Sequence, residues 1–316
     1  MLLAQGTFLM AKKQSSPTLS VEKQQQFTYY WYAAKQAITE ERFSDALVLL
    51  EFCQQINPND GTTLSMLGVI YDALGQKERA LTFFARAYEA DPRDQWFRYS
   101  TALLNLQTEE ARKEARQVLE KSHKLNPKDE NLLEQLRILY TSEREWKKAL
   151  KTLDETDAIK GYDVYSAFNR AQIYSMMRKP KKALTEIDKY LEQDQTNINF
   201  WLYRLDILER HNMSLDERYK TYEQILDFTP GNLSVLNNYA WMLATHGGDL
   251  RKAETMSMQT IKEDPTNPVF LDTYAWILHL QGKDDLALFY LNKALWNANS
   301  ETKSEIEQHI RMIKKK

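Results

Sequence analysis

Residues 61–94 read GTTLSMLGVIYDALGQKERALTFFARAYEADPRD. Leu64, Leu67, Gly68 and Tyr71 fall at i, i+3, i+4 and i+7, the stripe of an amphipathic helix. Gly75 then stands where a residue free to adopt positive φ would end that helix. Ala80, Phe84 and Ala87 repeat the pattern at i, i+4 and i+7 on a second helix, and Asp91-Pro92 stops it. Alanine at the contact lets the two helices approach closely, where a larger side chain would hold them apart. Two helices this short cannot bury both faces alone, so the pair requires neighbours.

The neighbours are written in the same chain. Pro58, Pro92 and Pro127 follow one another at 34 and 35 residues, Pro230 and Pro265 at 35, and the gap of 103 between the two sets is three further periods. An alanine marker keeps phase at Ala46, Ala80, Ala115, Ala149, Ala183, Ala253 and Ala287, with spacings of 34, 35, 34, 34, 70 and 34. A period in this range predicts a stacked solenoid. The copies begin near Phe27, Gly61, Gln95, Glu130, Val164, Ile198, Leu233 and Pro268. The third departs from the pattern with Arg98, Thr101 and Asn105 at usually apolar places, and the sixth lacks the alanine marker near Arg218.

These residues resemble the tetratricopeptide repeat, a helix–turn–helix unit of about 34 residues. The stretch from Pro268 repeats the pattern with Leu271, Tyr274, Ala275, Leu278, Ala287, Leu291 and Ala294. The last copies, with LNNYAWMLATHGGDLRKAETM and NPVFLDTYAWILHLQGK, are similar to tetratricopeptide proteins of Bacteroidetes-type bacteria. The resemblance implies an all-α fold: a right-handed superhelical solenoid of about eight helix-turn-helix repeats with a C-terminal capping helix. Residues 1–26 read as a disordered leader or the remnant of a signal segment, 27–299 as the solenoid, and 300–316 as the capping helix. In that helix Ile306, Ile310 and Ile313 would cover the last repeat, and Ser300 opens it as an N-cap signal.

Composition narrows the function. Forty-two Lys plus Arg against 44 Asp plus Glu leave a net charge of −2, without the basic excess of a nucleic-acid binder. No stretch approaches a spanning helix and the mean hydropathy is −0.60, so no integral membrane segment is expected. The expected compartment is cytoplasmic for the chain as written, or periplasmic and envelope-associated if its true start lies upstream.

No catalytic constellation stands out, so the chain is read as a non-enzyme without cofactor or metal. The five histidines, His123, His211, His246, His279 and His309, are scattered without partners at metal-ligand spacing. The single cysteine, Cys53, falls on a buried stripe, where core packing outweighs nucleophilic chemistry. Gly247-Gly248 lacks the lysine and preceding strand of a phosphate loop. Basic clusters surround two successive turns, Arg144, Lys147, Lys148 and Lys151, then Arg178, Lys179, Lys181 and Lys182. They read first as solvated edges and alternatively as an anionic contact.

The family's first helices line a groove for partner segments. Carried over residue by residue, that register holds Trp96, Tyr99, Tyr165, Phe168, Asn169, Tyr203, Asn237, Asn238, Trp241, Asp272 and Trp276. Each aromatic fits packing between repeats as well as it fits the groove. The family's carboxylate clamp is absent, because its lysine register reads Trp31, Ser65, Tyr99, Glu134, Phe168, Leu202, Asn237 and Asp272. The resulting expectation is an interaction scaffold that binds a peptide segment of a protein partner, largely uncharged where it meets the groove. Asparagine amides would hold the peptide backbone and tryptophans would anchor it. The alternative is an envelope assembly or tethering factor, exported by a signal missing from this chain.

Overall fold

The computed structural model describes residues 19–315, which form helices and no strand. The chain divides into two units at Gly161. The first unit holds α1 (Val21–Thr39), α2 (Phe43–Ile56), α3 (Gly61–Ala73), α4 (Lys77–Ala90), α5 (Trp96–Asn105), α6 (Glu109–Leu125), α7 (Glu130–Ser142) and α8 (Trp146–Lys160). The second holds α9 (Val164–Met176), α10 (Pro180–Leu191), α11 (Ile198–Arg210), α12 (Leu215–Phe228), α13 (Leu233–Thr245), α14 (Leu250–Glu263), α15 (Pro268–Leu280), α16 (Asp284–Asn297) and α17 (Ser300–Lys314). Within each unit every helix packs against the next, so each is a stack of helix pairs. The first helices start at Gly61, Glu130, Val164, Ile198, Leu233 and Pro268 as the period predicts, and α5 starts one residue late at Trp96. Helix α1 begins at Val21, six residues before the expected repeat start at Phe27. The leader reading for residues 1–18 lies outside the described residues.

Local chemistry explains this phase. Asp60, Asp129, Asp163, Asn232 and Asn267 are N-caps of α3, α7, α9, α13 and α15, each side chain accepting backbone N–H bonds from the first turn. The capping helix uses the same device one residue earlier than Ser300: Asn299 Oδ1 accepts from the N–H groups of Glu301 and Thr302 at 3.1 and 2.9 Å. Inside every pair the turn is closed by one residue with left-handed φ. Gly75, Gly247 and Gly282 take that place at 74, 73 and 78°, while Glu41, Gln107, Arg144, Arg178 and Asn212 take it with a side chain.

The alanine marker sits where the helices touch. Ala46, Ala80, Ala115, Ala149, Ala183, Ala253 and Ala287 are all buried. In the α3–α4 pair the Phe84 ring packs against Gly68, where an added Cβ would stand 2.5 Å from it. The sixth pair is built differently. Arg218 is buried in the alanine's place, with Tyr222 and Ile225 following it where Phe84 and Ala87 follow Ala80. Leu205 stands where Gly68 does, and the turn before α12 is one residue longer than that before α4. Beside this pair a cleft of about 410 Å³ opens, lined from α10, α11 and α12. Arg204 crosses it, donating to Asp188 at 2.8 Å, Thr221 at 2.6 Å and Glu217 at 2.7 Å.

Candidate functional site

In the first unit the expected groove residues are internal. Trp96 is 4% exposed and donates its Nε1–H to Asp129 Oδ2 at 3.3 Å, which ties α5 to the cap of α7. Tyr99 is buried, donates its hydroxyl to Glu114 on α6, and packs 5.6 Å from Tyr88. Both therefore hold repeats together and offer no surface to a partner, a correction to the groove register.

In the second unit the outcome is divided. Phe168 on α9 is exposed and its ring lies 5.1 Å from that of half-buried Tyr203 on α11, so these two form a surface pair. Tyr165 is half-buried one turn before Asn169. Asn169 is buried and donates one amide N–H to the Tyr165 carbonyl of its own helix at 2.8 Å.

The remaining groove residues come together at the end of the chain. A pocket of about 160 Å³ is lined by Asn237, Asn238 and Trp241 from α13, Val269 and Asp272 from α15, and Thr302, Glu305 and Ile306 from α17. Asn238 is exposed and Trp241 half-buried. Asn237 is 3% exposed; its amide donates toward Asn238 Oδ1 at 3.5 Å, and its own Oδ1 is buried without a hydrogen-bond partner. His309 donates Nδ1–H to Asp272 Oδ1 at 2.8 Å, and both side chains are buried. The Trp276 ring lies 4.5 Å from the His309 ring at 33°, and Trp241 lies 5.8 Å from it. Trp276 is half-buried against the chain's own capping helix, and of the tryptophan pair Trp241 lines the pocket.

Helix α17 lines the pocket as well as covering the last repeat, a role the groove register does not include. Ile306 and Ile313 join the last core cluster and Ile310 packs against it, as their spacing predicts. His309 lies three residues after Ile306 on the same stripe, and that register was the signal for it.

The other candidates carry no such convergence. Burial pushes the Cys53 thiol up to about 11, so it stays protonated and unreactive at neutral pH. Of the first basic cluster, Lys148 is paired with Glu145 at 2.6 Å and Lys151 with Glu155 at 3.1 Å. In the second, Lys182 lies over the Tyr174 ring at 5.7 Å.

The sequence model of the tetratricopeptide repeat family matches residues 37–104, from the end of α1 through α5. The chain has the fold of tetratricopeptide repeat proteins, and residues 37–104 carry the family's sequence pattern. Among solved structures it is similar to the C-terminal part of a TPR repeat-containing protein from Cytophaga hutchinsonii, at 15% identity over 78% of this chain and 98% of that one, with a TM-score of 0.57. A tetratricopeptide repeat protein from Parabacteroides merdae matches at 16% identity over 92% of this chain and 99% of that one, with a TM-score of 0.36. MamA from Desulfovibrio magneticus matches at 18% identity over 54% of this chain and 97% of that one, with a TM-score of 0.43. At these identities the likeness speaks to the fold alone. No curated protein matches the chain. Among the described residues no helix is long and apolar enough to cross a membrane.

Proposed function

We propose that this tetratricopeptide repeat chain is a non-catalytic scaffold that binds a peptide segment of a protein partner on the first helices of its C-terminal repeats. The observation that carries the reading is the pocket on α13 and α15, where Asn238 is exposed, Trp241 is half-buried and a buried Asn237 oxygen has no partner. An asparagine amide can donate to a peptide carbonyl and accept from a peptide N–H, so it can hold a backbone without reading side chains. Trp241 supplies rigid apolar area beside it, the usual composition of a binding hot spot. The pairing of Lys148 and Lys151 with glutamates disfavours the basic edge as the main contact.

Affinity capture with the wild-type chain, followed by mass spectrometry and a binding measurement on the captured partner, tests the reading. Trp241→Ala should weaken that partner by about 2 kcal/mol. Capture that survives the Asn238→Ala, Trp241→Ala double variant, yet collapses when Lys147, Lys148, Lys181 and Lys182 are neutralised, would move the site to the basic edge.

A further inference from the structure

The C-terminal pocket has a charge character that the aromatic register did not suggest. Two carboxylates line it, Asp272 and Glu305, and no lysine or arginine does. Asp272 offers Oδ1 to His309, and its Oδ2 accepts nothing from the described residues. Glu305 is exposed and forms no ion pair or hydrogen bond with them. The third acceptor is the Asn237 Oδ1, buried and unpartnered. An orphaned buried acceptor is costly and uncommon in a folded protein, and a ligand donor is one of the things that can satisfy it. All three groups accept, and Asn237 Oδ1, Asp272 Oδ2 and the Glu305 carboxylate have no donor among the described residues.

We infer that this pocket receives the ammonium group of a lysine side chain presented by the partner's peptide. An ammonium has three donors and no acceptor, the complement of Asn237 Oδ1, Asp272 Oδ2 and the Glu305 carboxylate. The lysine's four-carbon stem would run over Trp241 and Ile306, and the indole face favours a nearby cation. A volume of about 160 Å³ is several times a water molecule's share of the liquid, about 30 Å³, and suits one extended side chain. The His309 hydrogen bond positions Asp272, and α17 supplies Glu305, so the capping helix completes the site as well as closing the stack. The inference rests on the groove reading above and replaces its uncharged ligand with one carrying a lysine at this point.

The test uses the full chain and the probe Nα-acetyl-lysine amide, followed through the indole resonance of Trp241, which is assigned by its loss in Trp241→Phe. The lysine probe should shift that resonance saturably, and the Nε-acetylated probe should bind at least tenfold more weakly. Glu305→Gln, an exposed change, should weaken the lysine probe at least threefold with an unchanged circular dichroism spectrum. Asn237→Ala should weaken it while raising the melting temperature, because the orphaned acceptor is gone; a merely structural asparagine would lower the temperature and leave the probe unaffected. Equal binding of the charged and acetylated probes, indifference to Glu305→Gln, or tighter binding of alanine amide through its α-amine would each overturn the lysine assignment. Partner capture lost in Trp241→Ala alongside an indifferent lysine probe would sink the inference and leave the groove reading standing. Saturable lysine binding alongside capture that ignores Trp241→Ala would do the reverse.

Discussion

The α3–α4 pair and the α11–α12 pair have the same plan and opposite interiors. In the first, Gly68 and Ala80 let two helices meet with the Phe84 ring pressed against the glycine. In the second, Leu205, Arg218 and Tyr222 fill the equivalent places and are all buried. Arg218 reaches Asn212 Oδ1 at 3.0 Å, and its Nε is buried without a partner. Small residues at a helix contact make the pair intolerant of added volume; large ones keep the helices apart and tolerate exchange. The repeat therefore holds its period while changing how it is packed.

Substitutions can break or sharpen this comparison. The largest effect is expected from Ala80→Trp, which adds an indole at a site 1% exposed and should cost about 3 kcal/mol or more by overpacking. Thermal unfolding of the full chain reads it, and an unchanged melting temperature would contradict the close contact. Gly75→Ala should cost about 1 kcal/mol, from the φ of 74° alone, since a Cβ there would meet nothing within 4 Å. Arg218→Met, at the place equivalent to Ala80, should be neutral or stabilise by up to about 1 kcal/mol, because it removes a buried charge at similar volume. A loss as large as that of Ala80→Trp would show that Arg218 is integral to the sixth pair. The smallest effect is a gain of a few tenths of a kcal/mol, ~0.5, from Gln107→Gly, which relieves a side chain at φ 56°. Denaturant midpoints measured side by side with Gly75→Ala would test whether the two turns follow one rule.

The groove shows the same division between what a local reading can and cannot reach. Trp96, Tyr99 and Asn169 occupy the same kind of register as Trp241 and Asn238, yet the first three are buried and the last two line a pocket. Register places a side chain on a helix face. Whether that face meets solvent depends on the adjacent helices, as when Tyr99 finds Glu114 or Trp276 finds His309.

By itself the sequence determined the helical period, the start of nearly every first helix, the buried alanines and the isoleucine stripe of α17. These follow from chemistry within a few residues: a cap accepting from its own first turn, a left-handed turn residue, an apolar stripe at helical spacing. Tertiary structure alone decided that Asp272 meets His309 across 37 residues, that the Asn237 oxygen is left without a donor, and that Arg218 replaces an alanine without ending the repeat. Those outcomes depend on which side chains from separate helices reach the same few ångströms, and the 34-residue period constrains the helices but not the side chains that meet between them.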